Sequence, residues 1–311
     1  MRLIDLQFLF ITGKGGVGKT TAALALAQAA AKAGKRVLIA LCNAPSRLEA
    51  WTEVSVDSSI RPLSAGIDVV NMQPEAAVAE YGAMVLRFRA VTKRVFGNRY
   101  IQAFLRGTPG LSAWALLGKA YYHSIEMGAD GRKRYDLVLV DAPATGHGLE
   151  MLRVPQVIVE LAPPGLLKRE ASRAVELFRD PKRAGTLLVT LPQQMPVTET
   201  NELDRAVRTQ LQLPVQALWV NRVHPPFLGA EEANALTRLQ RDLDARSPAA
   251  PVIEAASQAW RCQQQQEAAI AALHAEAHTL VQLLPELPMQ RDRPAALATL
   301  AQTVADLPAA G

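Results

Sequence analysis

Gly13-Lys14-Gly15-Gly16-Val17-Gly18-Lys19-Thr20 is the stretch from which the rest of the chain can be read. Two glycines bracket four residues and Lys-Thr follows, the complete spacing of a phosphate-binding loop. Such a loop works only between a strand and a helix. Leu6–Thr12 supplies a short apolar run before it, and Thr21–Ala33 is rich in Ala and Leu with no breaker until Gly34. In that setting the loop N–H groups and the helix N-terminus surround a β-phosphate. Lys19 would reach the β- and γ-phosphates, and the Thr20 hydroxyl would ligate Mg²⁺. The expected binding set is Gly13, Lys14, Gly15, Gly16, Val17, Gly18, Lys19, Thr20 and Thr21.

Outward from the loop, apolar runs recur at Val37–Leu41, Ile67–Met72, Leu137–Val140, Gly185–Thr190 and Val215–Val220. A helical stretch from about Thr198 to Gln212 separates the last two. Strands alternating with helices predict an α/β fold: a doubly wound, mostly parallel sheet with helices on both faces. Two segments break the alternation. About residues 75–130 have helical spacing and hold half of the chain's aromatics, so a helical insertion with its own small core is expected there. About residues 255–311 form a C-terminal helical segment, in which Ala255–Leu284 reads as one long helix stopped by Pro285 and Pro288. The Gln263–Gln266 run is too short to be a low-complexity tract. The whole chain, 1–311, is expected to be one domain.

Nearly half of the residues are hydrophobic and a fifth are charged, the balance of a folded globular protein. Cys42 and Cys262 lie far apart in no metal-binding spacing, which fits a reducing cytoplasm better than a disulfide framework or a structural zinc. Asp5 interrupts the apolar start of the chain, and no later run has the length of a membrane span, so a soluble, cytoplasmic protein is expected. The excess positive charge is concentrated. Between Glu75 and Arg134 ten basic residues stand against four acidic ones, solvated helix faces or a surface for an acidic partner or anionic lipid.

The second lysine of the loop, Lys14, gives KGGVGKT, which resembles the deviant Walker A class of nucleotide-binding proteins. Asp141-Ala142-Pro143-Ala144-Thr145-Gly146-His147 follows the strand Leu137–Val140 and resembles the switch II segment of the ArsA-type ATPase family. That family covers arsenite-pump ATPases and targeting ATPases for tail-anchored membrane proteins. Thr198-Glu199-Thr200-Asn201-Glu202-Leu203 is similar to a helix start of that family, and Val220-Asn221 to one of its strand ends. The resemblance implies ATP and Mg²⁺ as cofactors, with Asp141 joining Thr20 at the metal and Asn221 reading adenine. It also implies that Lys14 reaches the nucleotide of a second subunit, either in a homodimer or in a heterodimer with an ArsA-like homologue. The helical insertion lies where the family binds a client protein. No nucleic-acid partner is expected, and membrane contact is at most indirect.

Two departures from the family pattern bear on activity. Aligning Leu48 places Asn43 where the family has a switch I aspartate that orients the attacking water. An amide can hold a water but cannot take its proton. The catalytic set is therefore Lys14, Lys19, Asn43 and Asp141, with hydrolysis weakened or lost by Asn43. Second, neither cysteine has a cysteine neighbour, so neither arsenite activation nor a zinc clasp is expected. His147 either follows the phosphate state or caps a turn. Three functions remain open: an ATP-hydrolysing dimeric switch that binds a client, a pseudo-ATPase subunit paired with an active homologue, and a positioning ATPase. The mostly Ala/Leu tail Arg291–Gly311 lacks the basic amphipathic character of a membrane-riding positioning ATPase.

Overall fold

The computed structural model describes residues 1–43, 48, 55–74, 76–77, 80–81, 111–162, 164–242, 244, 247–287 and 292–310. In chain order the elements are β1 (Phe8–Thr12), α1 (Lys19–Lys32), β2 (Val37–Cys42), β3 (Arg61–Ser64) and β4 (Ile67–Met72). Then come α2 (Leu111–Ile125), β5 (Leu137–Asp141), α3 (Thr145–Leu161), α4 (Leu166–Arg179) and β6 (Ala184–Thr190). The remainder is α5 (Gln194–Thr209), β7 (Val215–Val223), α6 (Ala230–Asp242), α7 (Ala250–Glu276), β8 (Val281–Pro285) and α8 (Arg293–Ala305).

The strands form one sheet in the order β3-β4-β2-β5-β1-β6-β7-β8. All neighbours run parallel except β3, which lies antiparallel on β4 at the edge. Strands β1, β2, β5 and β6 are buried along their whole length, which is why they read as continuous apolar runs rather than alternating ones. Successive side chains still part to opposite faces. Phe8 and Phe10 join the core beneath α2, α3, α4, α5 and α7, whereas Leu9 and Ile11 join the core beneath α1 and α8. Alanines along α1 let it sit close to the sheet and to Leu297, Leu300 and Val304 of α8.

The chain leaves β1 to one side for β2 and crosses to the other side for β6, so the sheet reverses its winding around β1. A crevice at the carboxyl ends of the strands is the expected ligand position in such a sheet. Register aligns those ends: Asp141 pairs with Ile11 on one side and with Leu41 on the other. The segments that follow β1, β2 and β5 therefore leave the sheet side by side.

Three expectations need correction. The helix placed at about Thr198–Gln212 begins four residues earlier, at Gln194. Pro196 lies in its first turn, where a proline removes only an N–H that has no intrahelical acceptor. The long helix Ala255–Leu284 is instead α7, ending at Glu276, followed by β8. Beta-branched residues are few in Val281–Pro285, and its pairing with β7 makes it a strand. The third correction is the edge strand β3, exposed and carrying Pro62, which had no apolar signal. Of the expected insertion, residues 82–110 lie outside the described residues; in its described part Tyr81, Trp114 and Tyr121 pack in the main core with Phe8 and Phe178.

Candidate nucleotide site

The loop between β1 and α1 is built on backbone that only glycine accepts. Gly13 has φ +146°, and a Cβ there would sit 2.1 Å from the Val189 carbonyl oxygen of β6. Gly18 caps α1 with φ +100°, and a Cβ there would meet the Asn221 side-chain nitrogen at 2.3 Å. The turn is thus closed from outside by two other strands, β6 and β7.

Lys19 lies in the first turn of α1 and folds back over the loop. Its Nζ donates to the Gly13 carbonyl at 3.0 Å and to the Lys14 carbonyl at 3.1 Å. Next to it, the Thr20 hydroxyl donates to Asp141 Oδ2 at 2.6 Å. Asp141 is buried at the end of β5. Two hard oxygen donors thus meet at the foot of the loop, the donor type that Mg²⁺ takes. Among the described residues no group of three or more His, Cys, Asp or Glu could hold a metal alone. A Mg²⁺ held here by Thr20 and Asp141 would complete its shell with water and phosphate oxygens, which is its usual habit. Thr21 is half-buried in the same turn, and Gly15 and Gly16 are exposed.

Cys42 ends β2 and is buried; burial, and then the charge of Asp141, push its thiol well above the ordinary range. It stays protonated and acts as a small apolar residue. Asn43 follows it, exposed, with φ +48°, and its N–H donates to the Met72 carbonyl at 2.9 Å. Asn and Asp are the residues that tolerate this left-handed conformation. Of the rest of the expected switch I stretch, Leu48 is buried and residues 44–47 lie outside the described residues. His147 is exposed on the first turn of α3.

Two expected site residues have partners that their spacing did not announce. The Asn221 side-chain nitrogen donates to the Val17 carbonyl at 2.9 Å, and its oxygen accepts the Arg222 N–H at 3.0 Å. The end of β7 is thereby tied to the glycine-rich loop. Lys14 turns back onto its own chain, where Nζ makes an ion pair with Glu199 of α5. Glu199 had been noted only as part of a helix start.

Gln263 and Gln266 were noted only as the ends of a short glutamine run. Gln266 accepts from the His224 N–H and donates to the His224 carbonyl, both at 2.9 Å. Gln263 accepts from the N–H groups of Phe227 and Leu228 at 2.7 and 3.1 Å and donates to the Leu228 carbonyl at 3.1 Å. Their spacing of three on one helical face was the available signal. Together they clasp the segment that follows Asn221 and Arg222. Replacing both with alanine is expected to speed tryptic cleavage after Arg222 by at least ~5-fold, since each lost hydrogen bond is worth about 1 kcal/mol. Unchanged cleavage would mean that other contacts hold this segment.

Among the described residues no helix is long and apolar enough to cross a membrane. Comparison with known proteins agrees with the geometry of the loop. The sequence profile of the anion-transporting ATPase family matches residues 6–163. The chain is 25% identical over 254 residues to an arsenical pump-driving ATPase of Acidiphilium multivorum, a match covering 76% of this chain and 43% of that protein. It is 27% identical over 251 residues to the ATPase BagA of Mycobacterium tuberculosis, covering 78% and 73%. An arsenical pump-driving ATPase of Escherichia coli is 25% identical over 259 residues, covering 76% and 43%. The chain therefore spans less than half of the arsenical pump-driving relatives and about three quarters of the mycobacterial one. Because the family profile runs unbroken from the strand before the loop, through Asn43, to the helix after Asp141, and takes in half of the chain, this protein belongs to the ArsA-type family of anion-transporting ATPases.

Proposed function

We propose that this protein binds ATP with Mg²⁺ and hydrolyses it as a nucleotide-driven dimeric switch, coupling nucleotide state to binding of a client. The observation that carries the proposal is the contact of Asp141 with Thr20, next in sequence to Lys19, whose Nζ folds back over the loop. Three groups with complementary tasks thus share one crevice. Lys19 holds the β- and γ-phosphates, and Thr20 and Asp141 hold the metal. Bound Mg²⁺ supplies charge neutralisation of the phosphate oxygens. Asn221 keeps the loop against β7 beside the base. Water attacks the γ-phosphorus, the bond to the β–γ bridging oxygen breaks, the water's proton passes to a phosphate oxygen or to solvent, and ADP and phosphate leave. Little covalent help is needed, so the work of the chain is positioning and charge stabilisation.

Asn43 sets the rate in this reading. Its amide can orient the attacking water but cannot accept the proton, and losing a general base commonly costs ~10²–10⁴-fold. Asn43→Asp is expected to raise single-turnover hydrolysis at least ~10-fold, since a carboxylate restores a proton acceptor and the left-handed backbone at 43 accepts it. No gain, with ATP binding intact, would reject the alignment of Asn43 with the switch I aspartate or show that chemistry is not limiting.

Asn43 also favours a second reading, a pseudo-ATPase subunit that binds nucleotide and pairs with an active homologue. Hydrolysis by the purified chain alone, and then mixed with an ArsA-like homologue, separates the two. Turnover alone supports the switch; turnover only in the mixture supports the pseudo-ATPase. In either case the dimer is formed with a second copy or with a homologue, and the client surface is the helical insertion of about residues 75–130.

A further inference from the structure

We infer that Glu199 is a positioning residue that parks Lys14 on its own subunit and makes release of that lysine a condition for nucleotide-dependent dimerisation. The inference rests on the dimeric reading above, in which Lys14 serves a nucleotide across an interface.

Lys14 and Glu199 are 185 residues apart in sequence, and the fold brings their charges into contact. Both ends of the contact stand on fixed backbone. The Lys14 carbonyl accepts from Lys19 Nζ, so the loop holds residue 14 by its main chain. Glu199 is followed on α5 by Thr200, which is fully buried and donates its hydroxyl to the Pro196 carbonyl at 2.7 Å. Only the two side chains are left to move. They are 30% and 33% exposed, enough for water to solvate either partner once they separate. Among the described residues no other acidic side chain makes an ion pair with Lys14.

Lys14 cannot hold Glu199 and a phosphate across an interface at once. The exchange depends on what the interface offers. A half-exposed ion pair is weak, because water screens it and two long side chains must be held still. A γ-phosphate enclosed between two subunits carries more charge in a drier place, so its pull on the lysine is stronger. ADP lacks that group. The Lys14–Glu199 contact is therefore weak enough to yield to ATP and strong enough to keep the lysine home without it. In a symmetric dimer two such contacts break, so their effects on the association constant multiply. With up to ~5-fold for each, the two together set back dimerisation by up to ~25-fold.

The test uses sedimentation of the full chain over a protein concentration series, with Mg²⁺ and either ADP or a slowly hydrolysed ATP analogue. Glu199→Ala should tighten the analogue-dependent dimer by ~5–25-fold, and Glu199→Gln, which keeps the shape without the charge, by less. In a Lys14→Ala background Glu199→Ala should change nothing, a dependence that a merely structural role for Glu199 would not show. An unchanged or weaker dimer in Glu199→Ala, or an equal gain with and without Lys14, overturns the inference. If the wild type dimerises and Glu199→Ala does not tighten it, only the parking role falls. If the wild type stays monomeric but Glu199→Ala dimerises, the parking role is upheld as the dominant restraint. If both stay monomeric, the parking role and the dimeric reading fall together.

Discussion

Replacing Lys19 with alanine should abolish ATP binding. The ammonium faces the crevice from the first turn of α1 and is fixed there by the carbonyls of Gly13 and Lys14. Removing it withdraws the positive charge that opposes the β- and γ-phosphates. It also releases the two carbonyls that the lysine ties together, so the loop loses a restraint on its shape. Truncating one partner of a hydrogen-bonded charge pair in a binding site costs about 2–5 kcal/mol or more. Affinity should fall by at least ~100-fold and leave no measurable heat in calorimetry at ordinary protein concentrations. Thermal unfolding without nucleotide separates lost binding from lost folding. Unchanged ATP affinity in Lys19→Ala would show that the phosphate site lies elsewhere.

The second large effect is expected at Lys14 and concerns assembly. A lone phosphate loop does not need a lysine directly after its first glycine. In the parked arrangement Lys14 is turned toward Glu199. Lys14→Ala should therefore reduce ADP affinity far less than it weakens the ATP-dependent dimer. The loss for the dimer is expected at ~1.5–3 kcal/mol, the worth of a hydrogen bond to a charged group, or roughly 10- to 150-fold. Truncation also leaves Glu199 without its cation, but a carboxylate one-third exposed is solvated by water, so folding should hardly suffer. Light scattering with ADP and with a slowly hydrolysed ATP analogue gives the answer, for the chain alone and with an ArsA-like homologue. A chain that is monomeric throughout would remove the switch and leave an ATP-binding domain.

Glu199 changes how Lys14 is understood. From sequence, the lysine is a loop residue with a task in a second subunit. In the folded chain it already has a partner, so any action across an interface is an exchange of partners rather than a free reach. The same holds for Asn221. Its resemblance points to a base, yet its amide is engaged by Val17 of the loop, with the remaining N–H left over for other contacts. Each residue links two parts of the site that the sequence lists separately.

What was legible in the sequence is local or repetitive. The loop can be read from its own eight residues because the positive φ values at Gly13, Gly16 and Gly18 are demands made on single positions. The parallel strands could be read because burial on both faces turns each into an apolar run. Asp141 could be placed because it ends such a run. Helix ends and weak strands were harder: β8 has a single β-branched residue and exists through pairing with β7, and α5 begins four residues before the expected start, at Gln194.

By itself, then, the sequence determined the glycine-rich loop between strand and helix, the α/β sheet and the residues at the ends of its central strands, all set by conformational needs within a few positions. The resemblance already implied that Asp141 joins Thr20; tertiary structure alone decided that Asn221 braces Val17, that Gln263 and Gln266 clasp the segment after β7, and that Lys14 is held by Glu199. Those contacts span from 35 to 204 residues of chain. No periodicity or local propensity encodes them, because they form only where the register of the sheet and the packing of its helices bring the partners together.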